Sequence, residues 1–177
     1  ELEGIFRALR MKKTEYTAEK NNPSYHPGRC AKVSIDGVDV GVMGQVHPLV
    51  AANYGIDADV YCAEIDFTKL FDMQLPDATY TPLPKYPTVS RDLSLICSED
   101  VTVAQAEAVI TAAAGKLLRD VKLFDIYRGP GVPEGKKSMA FSLELRADDR
   151  TLTDTDSEAV VTKVLAALKE KLDAALR

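Results

Sequence analysis

The chain is poor in the side chains that enzymes and metalloproteins lean on. It has two histidines, His26 and His47, and three cysteines, Cys30, Cys62 and Cys97. No Cys-x-x-Cys pair occurs, which argues against zinc and dithiol chemistry. The cysteines are widely spaced beside apolar residues and read as buried free thiols of a reducing compartment. Each histidine stands before a proline and lacks a recognisable partner, so each reads as a structural hydrogen-bonding residue rather than a general base. No Gly-x-Ser-x-Gly elbow, His-Glu-x-x-His pair or phosphate loop is present. No catalytic residue and no metal ligand is therefore assigned. No run of eighteen apolar residues exists, so no membrane-spanning helix is expected. Residues 1–15 are charged throughout, unlike a secretory signal. The first residue is Glu1 rather than Met, and the chain reads as a piece of something longer.

A basic surplus is missing as well. The formal net charge of −5 argues against binding nucleic acid through the whole surface. Residues 1–75 carry 8 Lys/Arg against 11 Asp/Glu, and residues 76–177 carry 14 against 16. Only locally does the sign reverse: residues 119–146 hold 6 basic and 4 acidic side chains, a local net of +2. That permits a phosphate contact without requiring one.

What is present is a globular composition, 46% apolar and 28% charged, over 177 residues, enough for one large or two small domains. Pro76, Pro82, Pro84 and Pro87 interrupt it. Each proline removes a donor and fixes φ, so 76–87 reads as a linker between a first domain, 1–75, and a second, 88–177. Before the linker, Ile5, Leu9 and Met11 suggest a short helix. Residues 29–35 and 38–43 read as a hairpin about Asp36-Gly37, 48–54 as a short helix opened by Pro48, and 60–65 as a further strand. So few elements leave a sheet face uncovered, as in the tail of a larger α+β domain. Gly41 and Gly44 are read as strand termination and close backbone packing.

After the linker the periodicities are cleaner. Residues 91–96 alternate as a strand. Thr102 and Gln105 form a capping-box signature ahead of a helix through Val103, Ala106, Ile110, Ala113 and Leu117. Residues 121–127 and 138–145 read as two more strands. Thr155 and Glu158 suggest a second capping box, ahead of a helix through Val161, Val164, Leu165, Leu168 and Leu172. Residues 174–177 suggest a short last strand. The order β-α-β-β-α-β, with one apolar stripe per helix, predicts a ferredoxin-like βαββαβ domain: both helices on one face of a four-stranded antiparallel sheet, the other face open.

The stretch 124–141 is the most informative on that sheet. A loop of Gly and Pro joins two strands and is followed by Lys136, Lys137 and Ser138. Strict alternation puts Phe124 and Ile126 on one side of their strand and Asp125 and Tyr127 on the other. Met139, Phe141, Leu143 and Leu145 face the core, with Ser138, Ala140 and Ser142 opposite. Asp125, Tyr127, Ser138 and Ala140 then form one patch, rimmed by Arg128, Lys136 and Lys137. An aromatic ring among small polar groups suits an unstacked nucleobase, and the cations suit its phosphates. On spacing alone, an ordinary solvated sheet face with a surface tyrosine is the somewhat favoured reading.

Several ordered motifs narrow the field. In the first half these are Tyr25-His26-Pro27-Gly28-Arg29-Cys30-Ala31 and Gly41-Val42-Met43-Gly44-Gln45-Val46-His47-Pro48. In the second they are Lys85-Tyr86-Pro87, Ser90-Arg91-Asp92-Leu93-Ser94, Phe124-Asp125-Ile126-Tyr127, Gly135-Lys136-Lys137-Ser138-Met139-Ala140-Phe141 and Arg150-Thr151-Leu152-Thr153-Asp154. Over essentially its whole length the chain resembles the C-terminal portion of the bacterial phenylalanine–tRNA ligase β subunits. The resemblance implies the end of a catalytically silent, class II synthetase-like α+β domain followed by a ferredoxin-fold anticodon-binding domain. It implies a cytoplasmic α2β2 heterotetramer that joins phenylalanine to its tRNA with ATP and magnesium, the chemistry lying in the α subunit and no cofactor in this fragment. It implies that the anticodon loop of tRNA(Phe) is the partner, with Tyr127 stacking on the first anticodon base and Asp125, Ser138 and Ala140 shaping its hydrogen bonds. One other reading of the residues stays open: a regulatory module binding a small amino acid, which would want a glycine-rich turn where Cys97-Ser98-Glu99-Asp100 stands. A small phosphatase is set aside, since it would want an anion-cradling loop with an arginine after the first strand, and acids occupy that place.

Overall fold

The computed structural model describes residues 2–11, 14–73, 77, 79–80 and 82–177. Glu1, Leu75, Pro76 and Thr81, on which the readings of the first residue and of the linker partly rest, lie outside the described residues. The chain divides into two compact units, Glu1–Tyr80 and Thr81–Arg177.

The first unit opens with α1 (Leu2–Ala8) and continues as β1 (Thr14–Ala18), β2 (Tyr25–Ile35), β3 (Val38–Val46), α2 (Pro48–Asn53), β4 (Tyr61–Ile65) and α3 (Phe67–Asp72). The strands form one antiparallel sheet in the order β1-β2-β3-β4. β2 and β3 are joined by the expected two-residue turn, with φ of 51° at Asp36 and 76° at Gly37, the positive pair that matches strand twist. Pro27 sits within β2 without breaking a ladder. It falls in the irregular stretch between Tyr25 and Cys30, beyond the segment Ala31–Ile35 that pairs with β1. β3 runs through Gly41 and Gly44 to Val46, so these glycines do not end the strand. A Cβ on Gly44 would lie 2.5 Å from the Arg29 carbonyl and 2.8 Å from Cys30 Cα, and one on Gly41 would run into the Glu64 carbonyl. Close packing is their reason.

Phe6, rather than Ile5, anchors α1, because Phe6 is buried with Val33, Ile35, Val40 and Leu70 while Ile5 stays exposed. Both histidines act on local backbone. His26 Nδ1 accepts the Gly28 amide at 3.0 Å. His47 caps α2, its Nδ1 accepting the Leu49 amide at 3.2 Å. Cys30 and Cys97 are buried, but Cys62 is exposed, against the sequence expectation. The reason is position. β4 is an outer strand, and the Cys62 thiol donates to Tyr25 Oη at 3.3 Å instead of entering the core.

The second unit runs β5 (Val89–Ser98), α4 (Val103–Ala114), a 3-10 turn (Gly115–Leu117), β6 (Leu118–Tyr127), β7 (Lys136–Leu145), α5 (Asp154–Leu172) and β8 (Ala175–Leu176). Its sheet has the order β6-β7-β5-β8, every pair antiparallel. This is the ferredoxin-like βαββαβ arrangement, and the protein is α+β in both units. Leu93, Leu95 and Cys97 of β5 and Met139, Phe141, Leu143 and Leu145 of β7 form one buried layer. Ala106, Ile110 and Ala114 of α4 and Val160, Val164 and Leu168 of α5 close it from one side.

Thr102 and Gln105 cap α4 reciprocally, as expected. At α5 the box is Thr153 with Asp156, not Thr155 with Glu158. The helix begins two residues earlier than the sequence suggests, because Thr153 has the extended backbone of a cap and its hydroxyl accepts the Asp156 amide at 3.2 Å. Arg91 then ties this helix start to β5, donating to Asp154 at 2.6 Å and to Ser157 Oγ at 2.9 Å.

Candidate nucleic-acid interface

Both helices of the second unit pack on one side of its sheet, so the residues between the core positions face away from them. On β5 these are Ser90, Asp92, Ser94 and Ile96; on β7 they are Ser138, Ala140, Ser142 and Glu144. The register joins Ser94 to Ala140, Asp92 to Ser142 and Ile96 to Ser138. The two central strands therefore present a floor of short side chains, with Ser94 Oγ and Ser138 Oγ 3.3 Å apart. A planar ring can lie flat on such a floor.

β6 borders it, and its backbone departs from simple alternation. The pairing with β7 shifts between Leu118 and Asp120 and again between Leu123 and Asp125. Leu123 pairs with Phe141 and packs on the core, while Asp125 pairs with Ala140 on the open side. Phe124 is the extra residue between them. At such a bulge two residues oppose one on the partner strand, so Phe124 and Asp125 share the side of Ala140. Phe124 is 57% exposed. The expected pairing of Phe124 with Ile126 on the other side is thus corrected, since an inserted residue reverses the parity of all that precedes it. Ile126 pairs with Met139 and, at the sheet's margin, is only partly covered.

Tyr127 pairs with Ser138 on the open side. Its hydroxyl donates to the Pro130 carbonyl at 3.3 Å. A Cβ on Gly129 would come within 2.8 Å of Tyr127 Oη, so the glycine lets the loop close on the ring. The Arg177 guanidinium stands 5.0 Å from the ring centroid, at cation–π range. The ring already serves as a platform for a flat cation. Asp125 is exposed, Ala140 is partly exposed, and Ser138 is buried at 3% beneath its neighbours on the same face.

The three expected cations are placed differently from one another. Lys136 is partly exposed at the start of β7 and makes no side-chain hydrogen bond or ion pair with a described residue. Arg128 is exposed but grips Glu99 through two nitrogens, at 2.8 and 3.0 Å. The hydrogen bonds from Arg128 hold the Glu99 carboxyl below its ordinary range, and the same contact raises the guanidinium. Lys137 pairs with buried Cys97 on the helix side of the sheet, is 7% exposed, and donates to the Glu99 carbonyl at 2.8 Å. Lys137 therefore does not share a face with Tyr127 and Ser138. The strand alternation that places Ser138 is enough to show this. Phe124, Ser94 and Arg177 are not singled out by the sequence; the bulge that exposes Phe124 has no local sequence signal.

Among the described residues, no group of three or more His, Cys, Asp or Glu side chains gathers as a metal ion requires. Among those residues, no helix is long and apolar enough to cross a membrane.

Comparison with known proteins bears on both units. The family described as "Ferredoxin-fold anticodon binding domain" matches residues 84–177, the whole βαββαβ unit. The chain belongs to this family. The description "Phenylalanyl tRNA synthetase beta chain CLM domain" matches residues 1–67, within the first unit of this member of the anticodon-binding family. Similar curated proteins include the phenylalanine–tRNA ligase beta subunit of Clostridium tetani, 40% identical over 99% of this chain and 22% of the relative. The beta subunit of Symbiobacterium thermophilum is 44% identical over 84% of this chain and 17% of its own length. That of Bacillus subtilis is 38% identical over 99% of the chain. The chain spans about a fifth of the length of the curated relatives it matches.

Proposed function

We propose that this chain is the non-catalytic C-terminal region of a phenylalanine–tRNA ligase beta subunit, in a cytoplasmic α2β2 enzyme whose α subunit carries the ATP- and magnesium-dependent chemistry. In this reading the second unit binds the anticodon loop of tRNA(Phe) on the open face of its sheet. Tyr127 stacks on the first anticodon base, and Asp125 and Ser138 accept or donate at its edge. Ala140 leaves room for it, and Lys136 answers a phosphate. Arg128 and Lys137 serve the scaffold in the unbound chain by holding the β5–α4 turn. The first unit serves assembly and structure.

The observation that carries the reading is the flat floor of Ser94, Ser138 and Ala140 bordered by Tyr127 and exposed Asp125, within a match to an anticodon-binding family. The small-amino-acid alternative wants a glycine-rich turn after β5; the turn there has no glycine, and its Glu99 is held by Arg128 through the carboxylate and by Lys137 through the carbonyl.

The test is titration of the chain into a labelled tRNA(Phe) anticodon stem-loop, read by fluorescence anisotropy. Binding is expected to be weak and to fall with salt, since few phosphates are engaged. Tyr127→Ala is expected to weaken it by roughly 5- to 150-fold, the loss of one stacked base, with the thermal midpoint little changed. Affinity unchanged in Tyr127→Ala overturns the stacking role.

A further inference from the structure

Tyr127, itself half-buried, is not the only ring on the open side of this sheet. Phe124 is 57% exposed, the most exposed phenylalanine of the second unit. The register shift between Leu123 and Asp125 turns it to the same side as Asp125 and Tyr127. A phenylalanine in simple alternation here would have entered the core. Instead Leu123 and Phe141 fill the interior, and the inserted residue presents its ring to solvent beside the low side chains of Ala140 and Ser142.

Spacing and neighbouring charge complete the picture. Phe124 and Tyr127 are three positions apart on one extended strand, roughly 10 Å at about 3.3 Å per residue. Successive bases of an unstacked strand stack on successive aromatic side chains of one surface, so two rings at this spacing can take two different bases of one loop. Lys122, two residues earlier, pairs with Ser142 on the same side, is exposed, and makes no side-chain hydrogen bond or ion pair with a described residue. Along the margin of the sheet the order is thus a free ammonium, a ring, a carboxylate and a second ring.

We infer that Phe124 is a second nucleobase platform: it stacks on another unpaired base of the same RNA loop that Tyr127 engages, while Lys122 meets the adjoining phosphate. The inference rests on the reading of this face as an RNA-binding surface. Stacking on Phe124 is tolerant of base identity, because the ring offers no hydrogen-bonding group and every base has a π face. Tyr127 with Asp125 and Ser138 supplies selectivity, and Phe124 supplies affinity.

The experiment is a set of double-mutant cycles with the full chain. The probes are the intact tRNA(Phe) anticodon stem-loop and versions in which each loop nucleotide in turn is made abasic. Phe124→Ala is expected to weaken binding of the intact loop about 5-fold or more. It is expected to cost nothing further on one abasic loop, different from the loop on which Tyr127→Ala costs nothing further. Phe124→Trp, which keeps an aromatic face, is expected to retain wild-type affinity. Thermal melts verify the fold of each variant. If Tyr127→Ala weakens binding and Phe124→Ala does not, the second platform is overturned while the anticodon reading stands. The second platform is overturned equally if the Phe124→Ala loss persists undiminished on every abasic loop. If the wild-type chain does not bind the intact loop at all, the anticodon reading itself fails, and this inference with it.

Discussion

The Thr153 hydroxyl accepts the Asp156 amide, and the Asp156 carboxylate returns to the Thr153 amide at 2.9 Å while taking both guanidinium nitrogens of Arg150. Two of the four orphan amides at the start of α5 are thereby satisfied by side chains. Thr153→Ala is expected to destabilise the protein by about 1 kcal/mol. Thr155→Ala, inside the first turn, is expected to stay within about 0.5 kcal/mol of wild type. Urea denaturation of the two variants side by side checks this. The sequence points to the wrong threonine for an identifiable reason. Thr153-x-x-Asp156 and Thr155-x-x-Glu158 both fit the capping pattern, the second better by residue preference. The decision is shared by Arg150, six residues ahead of Asp156, and Arg91, which reaches the helix start from β5. A long-range partner such as Arg91 leaves no local trace. The caps of α4, which depend on Thr102 and Gln105 alone, are fully legible.

Among elements, β6 shows where legibility ends. Its existence and its partners follow from apolar period, but two inserted residues, Arg119 and Phe124, reverse the facing of Asp120 to Leu123 between them, while Leu118, ahead of both, returns to the facing that strict alternation gives. Strict alternation assigns Asp125 and Tyr127 to the open side correctly because they follow the second insertion, and misassigns Phe124 because it is that insertion. β1 escapes the sequence altogether: Thr14–Ala18 is exposed along nearly its whole length and so has no apolar period to detect. The connection between β6 and β7 is tied to the β5–α4 turn, with Arg128 at its start on the Glu99 carboxylate and Lys137, just past its end, on the Glu99 carbonyl. Removing the carboxylate breaks the first tie and leaves the second. Glu99→Ala is therefore expected to speed amide hydrogen exchange across residues 128–135 at least several-fold while β7 keeps its protection. Unchanged exchange there would mean that Gly129 and the Tyr127–Pro130 contact order the loop unaided.

For the whole molecule, proline spacing and the change in periodicity after it point to two folding units, and the order of elements in the second points to its topology. What stays invisible is which cations remain free, because that depends on partners brought together by folding. The same partners set the response to acid. Hydrogen bonds from Arg150 hold Asp156 well below its ordinary value of 3.8, and those from Arg128 lower Glu99 from 4.5. A carboxyl whose folded value is depressed contributes stability above its unfolded value and loses it as pH falls through the folded one. The urea midpoint is accordingly expected to be flat from neutral pH to about 5 and to decline below about 4. The double variant Asp156→Asn, Glu99→Gln is expected to start lower and to show a shallower decline. A decline of equal steepness in that variant would assign the acid response to other carboxylates.

The insertions in β6 also bear on what can approach this sheet from the side. β6 and β8 are its outermost strands. One is kinked twice, and the other is two residues long. Along β6, then, a foreign strand finds no unbroken row of amides to zip onto. On that margin a second copy is hindered from extending the sheet into a ribbon, and visitors are admitted from above rather than at the hem.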